Sequence, residues 1–177
     1  MSRKPGMIHI YCGDGKGKTT AATGLAVRAA GSGMHVLFAR FLKTEDSGEL
    51  VILDDVENIT VLHMKKAFGF IWNLDEEEKE EIKEMYRMLW KQILECAKSG
   101  HYEMIVMDEI MAATEVGILT EGEVLSFLKE QKGRTELVLT GRNPAKSWMD
   151  EADYISDIQK KKHPFDSCLL YTSDAAD

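Results

Sequence analysis

The chain has few cysteines: Cys12, Cys96 and Cys168 are the three in 177 residues. No two stand at C-x-x-C spacing, so they build neither a zinc site nor a disulfide framework. Cys96 falls in a helical pattern and reads as a packed apolar residue rather than a reactive thiol. No apolar run approaches the length of a membrane span. The N-terminus lacks the apolar core of a signal peptide. Positive charge is in deficit, with a net charge of −8. Binding a polyanion needs an excess of Lys and Arg on some face, so this balance argues against a nucleic-acid partner. The short run Lys160-Lys161-Lys162-His163 reads as solvated surface. There are no internal repeats, no low-complexity linker and no domain boundary. One domain in a reducing, cytoplasmic setting is expected, long enough to bury a core without staples.

What is present is a glycine-rich loop, Cys12-Gly13-Asp14-Gly15-Lys16-Gly17-Lys18-Thr19-Thr20. The apolar run Met7 to Tyr11 before it reads as a buried strand. Thr20 to Ala30 after it reads as a helix. Bare backbone N–H groups in such a loop wrap a polyphosphate, and the positive end of the helix faces the anion. Lys18 supplies a point charge and Thr19 a hydroxyl for Mg²⁺. The first glycine of the general pattern G-x-x-x-x-G-K-[ST] is Cys12 here, with Gly13 one place late. The second lysine, Lys16, and the Thr19-Thr20 pair are more than a plain turn needs.

Strand-like runs then alternate with helical periods. The strands are His35 to Leu42, Ile59 to Leu62, Met104 to Asp108, Glu136 to Thr140 and a short Tyr154 to Ser156. Runs apolar on both faces suit central strands of a parallel sheet covered by helices. The clearest helix spans about Leu74 to Ser99. Asn73 with Glu76 forms its expected capping box, and Ile82, Met85, Leu89, Ile93 and Ala97 its apolar stripe. Its Glu76-to-Lys83 charges read as a solvated face, and Lys98-Ser99-Gly100 ends it. Thr120 with Glu123 marks the start of another helix, running toward Gln131. The fold expected is α/β, a mostly parallel central sheet with helices on both faces.

Met104 to Glu109 is an apolar strand ending in adjacent acids, Asp108-Glu109, the form of a Walker B element. Carboxylates at the carboxyl end of a central strand lie near the phosphate loop and can hold Mg²⁺ or its waters. Thr140-Gly141-Arg142-Asn143 ends the next strand. A guanidinium there could meet phosphate; on spacing alone it is equally a turn with an exposed arginine. Phe70 and Trp72, two apart, share a face only in an extended segment. On the residues alone they are better read as two core aromatics.

Taken together, these segments resemble the P-loop cob(I)alamin (ATP:corrinoid) adenosyltransferases over roughly residues 6–166. Gly13 to Thr20 looks like that family's G-N-G-K-G-K-T-T, with Asp14 for Asn and the same missing first glycine. Arg28 falls on the arginine of the following helix. Arg40-Phe41-Leu42-Lys43 resembles Q-F-[IL]-K, with Arg40 for Gln. Gly69-Phe70-Ile71-Trp72 resembles G-F-x-W. Asp108-Glu109 and Thr140-Gly141-Arg142 match its D-E and T-G-R elements. Ala152-Asp153 and His163-Pro164-Phe165-Asp166 resemble its closing segment.

The resemblance implies a P-loop NTPase fold of RecA-like type and a use of ATP that is not phosphoryl transfer. ATP is held with its 5′ carbon facing a corrinoid, Co(I) attacks that carbon, and tripolyphosphate leaves. Gly13, Asp14, Gly15, Lys16, Gly17, Lys18, Thr19 and Thr20 hold the nucleotide, with Arg28 and Arg142 contacting it. Thr19 and Glu109 hold Mg²⁺, with Asp108 in support, and Lys18 stabilises the leaving triphosphate. Phe70 and Trp72 pack under the corrin ring, displace its lower axial base and ease reduction of Co(II). A flavoprotein reductant and a homodimer are implied as partners. Asp14 adds negative charge beside the triphosphate, implying weaker ATP binding. Residues 167–177 lack the family's glycine-containing basic ending and read as an atypical, foreign or truncated tail. The competing reading is a P-loop small-molecule kinase or ATPase, although no acceptor site or base stands out. A GTPase is disfavoured by the lack of an N-K-x-D element.

Overall fold

The computed structural model describes residues 5–42, 48–64 and 75–162. Six strands form one sheet, all parallel: β1 (Ile8–Cys12), β2 (Val36–Arg40), β3 (Ile59–Leu62), β4 (Met104–Asp108), β5 (Glu136–Thr140) and β6 (Tyr154–Asp157). Their spatial order is β3-β2-β4-β5-β1-β6. Six helices complete the described fold: α1 (Lys18–Gly31), α2 (Gly48–Asp54), α3 (Glu76–Ser99), α4 (Ile110–Glu115), α5 (Glu121–Gln131) and α6 (Lys146–Glu151).

The period of two along each strand divides the interior into two cores. Val36, Phe38, Met104, Val106 and Val138 pack with Ala22, Ala26, Ala29 and Ala30 of α1 and with Leu50 and Leu53 of α2. The small side chains of α1 let its axis approach the sheet closely. On the other face, Leu37, Ala39, Ile105, Met107, Leu137 and Leu139 meet α3, α4, α5 and Trp148 of α6. Each fully buried Leu or Ile contributes roughly 1.5–3 kcal/mol over its exposed state.

Both faces of the central strands are buried, as their unbroken apolar runs require. The sequence boundaries hold for β3, β4 and β5. β1 runs one residue later than expected, over Ile8–Cys12, and β6 one residue further, to Asp157. Three other boundaries shift for local reasons. Gly17 sits at φ 112°, so α1 begins at Lys18 rather than Thr20. Leu42 adopts φ 53°, which turns the chain out of β2 after Arg40. The capping box of α3 is made by Asp75 with Glu78, not Asn73 with Glu76; the Asp75 carboxylate accepts from the Glu78 amide at 2.9 Å.

The buried face of α3 also differs from the expected stripe. Tyr86 and Trp90 are buried with Ile82, Leu89 and Ile93, whereas Met85 and Ala97 are only half-buried. Tyr86 lies on Phe41, and Trp90 meets Phe127 edge-on. The aromatic partners supplied by other elements set the helix rotation. β6 is an exposed edge strand rather than a central one. The box Thr120–Glu123 starts α5, and Gly100 at φ 68° ends α3, both as expected. Cys96 packs half-buried against the core, where burial pushes its thiol pKa up.

Candidate functional site

The last residues of three neighbouring strands, Arg40, Asp108 and Thr140, continue the alternation that faces α1 and α2. Arg40 and Asp108 are cross-strand partners in the ladder. At this level the apolar core gives way to a polar row beneath the start of α1. All three residues are buried, as is Thr19 from α1. Thr19 donates its hydroxyl to Asp108 Oδ1 at 3.0 Å, and Thr140 donates to the same oxygen at 2.6 Å. Arg40 Nε donates to Asp108 Oδ2 at 3.1 Å. The Thr140 hydroxyl accepts from the Glu109 amide at 2.9 Å. Both oxygens of Asp108 are thus engaged within the protein.

Glu109 stands at φ 60°, a left-handed backbone costing a non-glycine residue about 1–2 kcal/mol. It is held there by the Thr140 bond and by the start of α4, which it caps. Strain of this kind collects at functional sites.

Above the polar row runs the glycine loop. Lys18 Nζ donates to the Gly15 carbonyl at 2.8 Å, which folds the lysine over the loop. The Gly13 amide donates to the Arg142 carbonyl at 3.1 Å, placing the strand-end arginine beside the loop. Gly141, just before it, has no room for a side chain, because a Cβ there would lie 2.4 Å from Met111 Cβ. The chain leaving β6 crosses the loop from the other side. The Gly15 amide donates to the Ile158 carbonyl at 2.7 Å, and a Cβ on Gly15 would lie 2.6 Å from that oxygen. The Lys160 amide donates to Asp14 Oδ1 at 2.9 Å. That bond, with the charges of Lys160 and Lys18, holds the Asp14 carboxyl below the usual carboxylate range. Asp14 therefore fastens the crossing segment. Burial and the charge of Asp157 push the Cys12 thiol up, so it stays a neutral packed group.

The residues expected from sequence fall into four groups. Gly13, Asp14, Gly15, Gly17, Lys18, Thr19, Asp108, Glu109 and Arg142 come together at the carboxyl edge of the sheet. Lys16 and Thr20 are exposed on the loop and the first turn of α1. Arg28 is exposed in the last turn of α1, about 15 Å along the axis from Lys18 at the usual helical rise. Phe70 and Trp72 lie outside the described residues, as do Lys43, the segment His163 to Asp166 and the tail. Sequence reasoning missed the buried roles of Arg40 and Thr140 and the crossing segment Asp157 to Lys160. A polar residue closing an otherwise apolar strand is the signal that marks the first two.

The donors present suit magnesium. Thr19 and Glu109 offer hard oxygen atoms, and no cluster of three His, Cys, Asp or Glu side chains forms a cage among the described residues. Mg²⁺ keeps several waters and takes only one or two protein ligands when it travels with a nucleotide.

A glycine loop capping a helix, set over a buried carboxylate at the end of a parallel strand, defines a P-loop nucleotide-binding protein. The cytoplasmic domain of EssC shares this fold, with a TM-score of 0.53 at 16% identity, over 97% of this chain and 38% of that one. The family model for the ATP:corrinoid adenosyltransferases BtuR/CobO/CobP matches residues 4–170. The chain is 33% identical to the corrinoid adenosyltransferase CobA of Salmonella typhimurium, over 92% of its own length and 81% of the relative's. It is 32% identical to the corrinoid adenosyltransferase of Escherichia coli K12 over the same shares. The chain belongs to the ATP:corrinoid adenosyltransferase family, enzymes that use ATP to adenosylate a corrinoid.

Proposed function

We propose that the chain transfers the 5′-deoxyadenosyl group of ATP to the Co(I) centre of a corrinoid and releases tripolyphosphate. The electron pair of Co(I) attacks the 5′ carbon. A cobalt–carbon bond forms, the carbon–oxygen bond breaks, and its electron pair leaves with the tripolyphosphate. Cobalt ends formally as Co(III). The observation that carries this reading is the glycine loop and Lys18 set directly over the Thr19–Asp108 pair, in a chain of this family.

In this reading the protein orients reactants more than it reacts. Lys18 leaves the Gly15 carbonyl and turns to the triphosphate. Thr19 and Glu109 would hold Mg²⁺, which supplies positive charge against the leaving group. Asp108 keeps the Thr19 hydroxyl in place. Arg142 reaches nucleotide from the loop beside Gly13. A role for Arg28 rests on the family resemblance, since α1 carries it away from the loop of its own chain. Phe70 and Trp72 supply the apolar floor under the corrin ring. A single domain over residues 1–166, a flavoprotein reductant, a homodimer and a cytoplasmic setting complete the proposal. Among the described residues no helix is long and apolar enough to cross a membrane. The edge strand β6, with Tyr154 and Ile155 exposed, offers surface a second copy could cover.

Trp72→Ala separates the two substrates. The variant is expected to bind ATP as the parent does and to lose corrinoid adenosylation by about a hundredfold, on the scale of one lost positioning contact. Full activity in Trp72→Ala would return that residue to the core and remove the proposed corrin floor.

A further inference from the structure

The polar row holds a residue that the phosphate-loop chemistry does not require. Arg40 is 1% exposed and lies between two carboxylates, with Nε on Asp108 Oδ2 at 3.1 Å and Nη2 on Glu49 of α2. Its remaining nitrogen, Nη1, is buried with no hydrogen-bond partner among the described residues. An apolar residue would fill this position without a buried charge or an unmet donor, so packing alone does not explain the arginine. The resemblance places a neutral Gln here, which cannot form the same two ion pairs.

We propose that Arg40 is a positioning residue that sets the charge of the metal–nucleotide site. It rests on the reading of Thr19 and Glu109 as the magnesium-holding pair. The guanidinium neutralises Asp108 and occupies its Oδ2, while Thr19 and Thr140 occupy Oδ1. Asp108 is thereby kept as a support for the Thr19 hydroxyl and withheld from the metal, which leaves Glu109 as the carboxylate that meets it. The Glu49 arm ties the guanidinium to α2, so the arginine cannot swing away from the row. Without the guanidinium, Asp108 and Glu49 would leave two unbalanced negative charges beside Thr19; with it the cluster carries one, which eases binding of ATP without its metal and weakens the pull on a free cation.

The test is calorimetric titration of ATP into the full chain, with magnesium and with EDTA, in the parent and in Arg40→Gln. The quantity read is the ratio of the two dissociation constants. Removing Arg40 weakens metal-free ATP binding and frees an oxygen of Asp108 for the metal. Both effects increase the advantage that magnesium gives, and the ratio is expected to rise on the order of tenfold. An unchanged ratio, even with a lowered melting temperature, makes Arg40 structural only and overturns the proposal. Should Arg40→Gln not fold, Arg40→Lys replaces it. It keeps the charge but loses the two-armed fork, so a rise of about two- to threefold is expected; no rise, or failure of both variants to fold, overturns the proposal. No metal effect in the parent would remove the magnesium reading itself, and this proposal with it. A metal effect in the parent that is unchanged in the variant removes only the role of Arg40.

Discussion

Asp14 departs from the family loop by one charge, and its surroundings decide what that charge does. The carboxylate accepts from the Lys160 amide and lies near Lys18, so it stays ionised and is turned toward the crossing segment. Its folded pKa is lowered. The bond to Lys160 therefore contributes fully at neutral pH and is lost as the pH falls through the lowered value. Hydrogen exchange at the Lys160 amide is expected to show protection at neutral pH that disappears in acid. Asp14→Asn keeps an acceptor but not its charge, and charge-assisted bonds are about twice as strong as neutral ones. Protection of Lys160 should fall and lose its acid dependence. ATP binding should tighten by about twofold or less, because the group is exposed and screened. Unchanged exchange in the variant would mean the Lys160 bond does not hold the segment.

At the scale of elements, caps and strand ends carry most of what can be checked. Asp75 caps α3 from its side chain, so Asp75→Ala is expected to cost about 1 kcal/mol in urea unfolding. Asn73→Ala should cost no more than a few tenths. The reverse order would restore the capping box that the sequence suggested. Much of this level was legible beforehand. β4 and β5 end where a run of apolar side chains meets Asp108 and Thr140, and such edges are sharp in sequence. The loop was legible because strand, glycines, lysine and helix follow one another without interruption. Most contacts that join elements were not. The phosphate loop and Asp108 were expected together as two parts of one nucleotide site, and Thr19 meets Asp108 across 89 residues; Asp14 and Lys160, 146 apart, share no motif. Nothing local in either member announces the other. The burial of Tyr86 and Trp90 was hidden for the same reason, since Phe41 and Phe127 come from β2's exit and from α5.

Across the whole molecule the proposed site lies at the carboxyl ends of the strands, where β1, β4 and β5 bring the loop, the carboxylates and Arg142 together. The opposite edge holds contacts such as the hydrogen bond between His9 and Glu136 and has no part in the reaction proposed here. Against a net charge of −8, the loop itself carries Lys16 and Lys18, and the Lys160 amide, at the start of the Lys160-Lys161-Lys162 run, is bonded to Asp14 of that loop. The central claim is that this edge holds ATP for attack at its 5′ carbon rather than at a phosphorus atom. The most direct measurement mixes the purified chain with Mg-ATP and chemically reduced cobalamin and follows adenosylcobalamin and tripolyphosphate together. The account predicts that both appear in equal amounts and that neither forms without the corrinoid. ADP released at the same rate whether or not cobalamin is present would contradict it and make the protein a kinase or an ATPase.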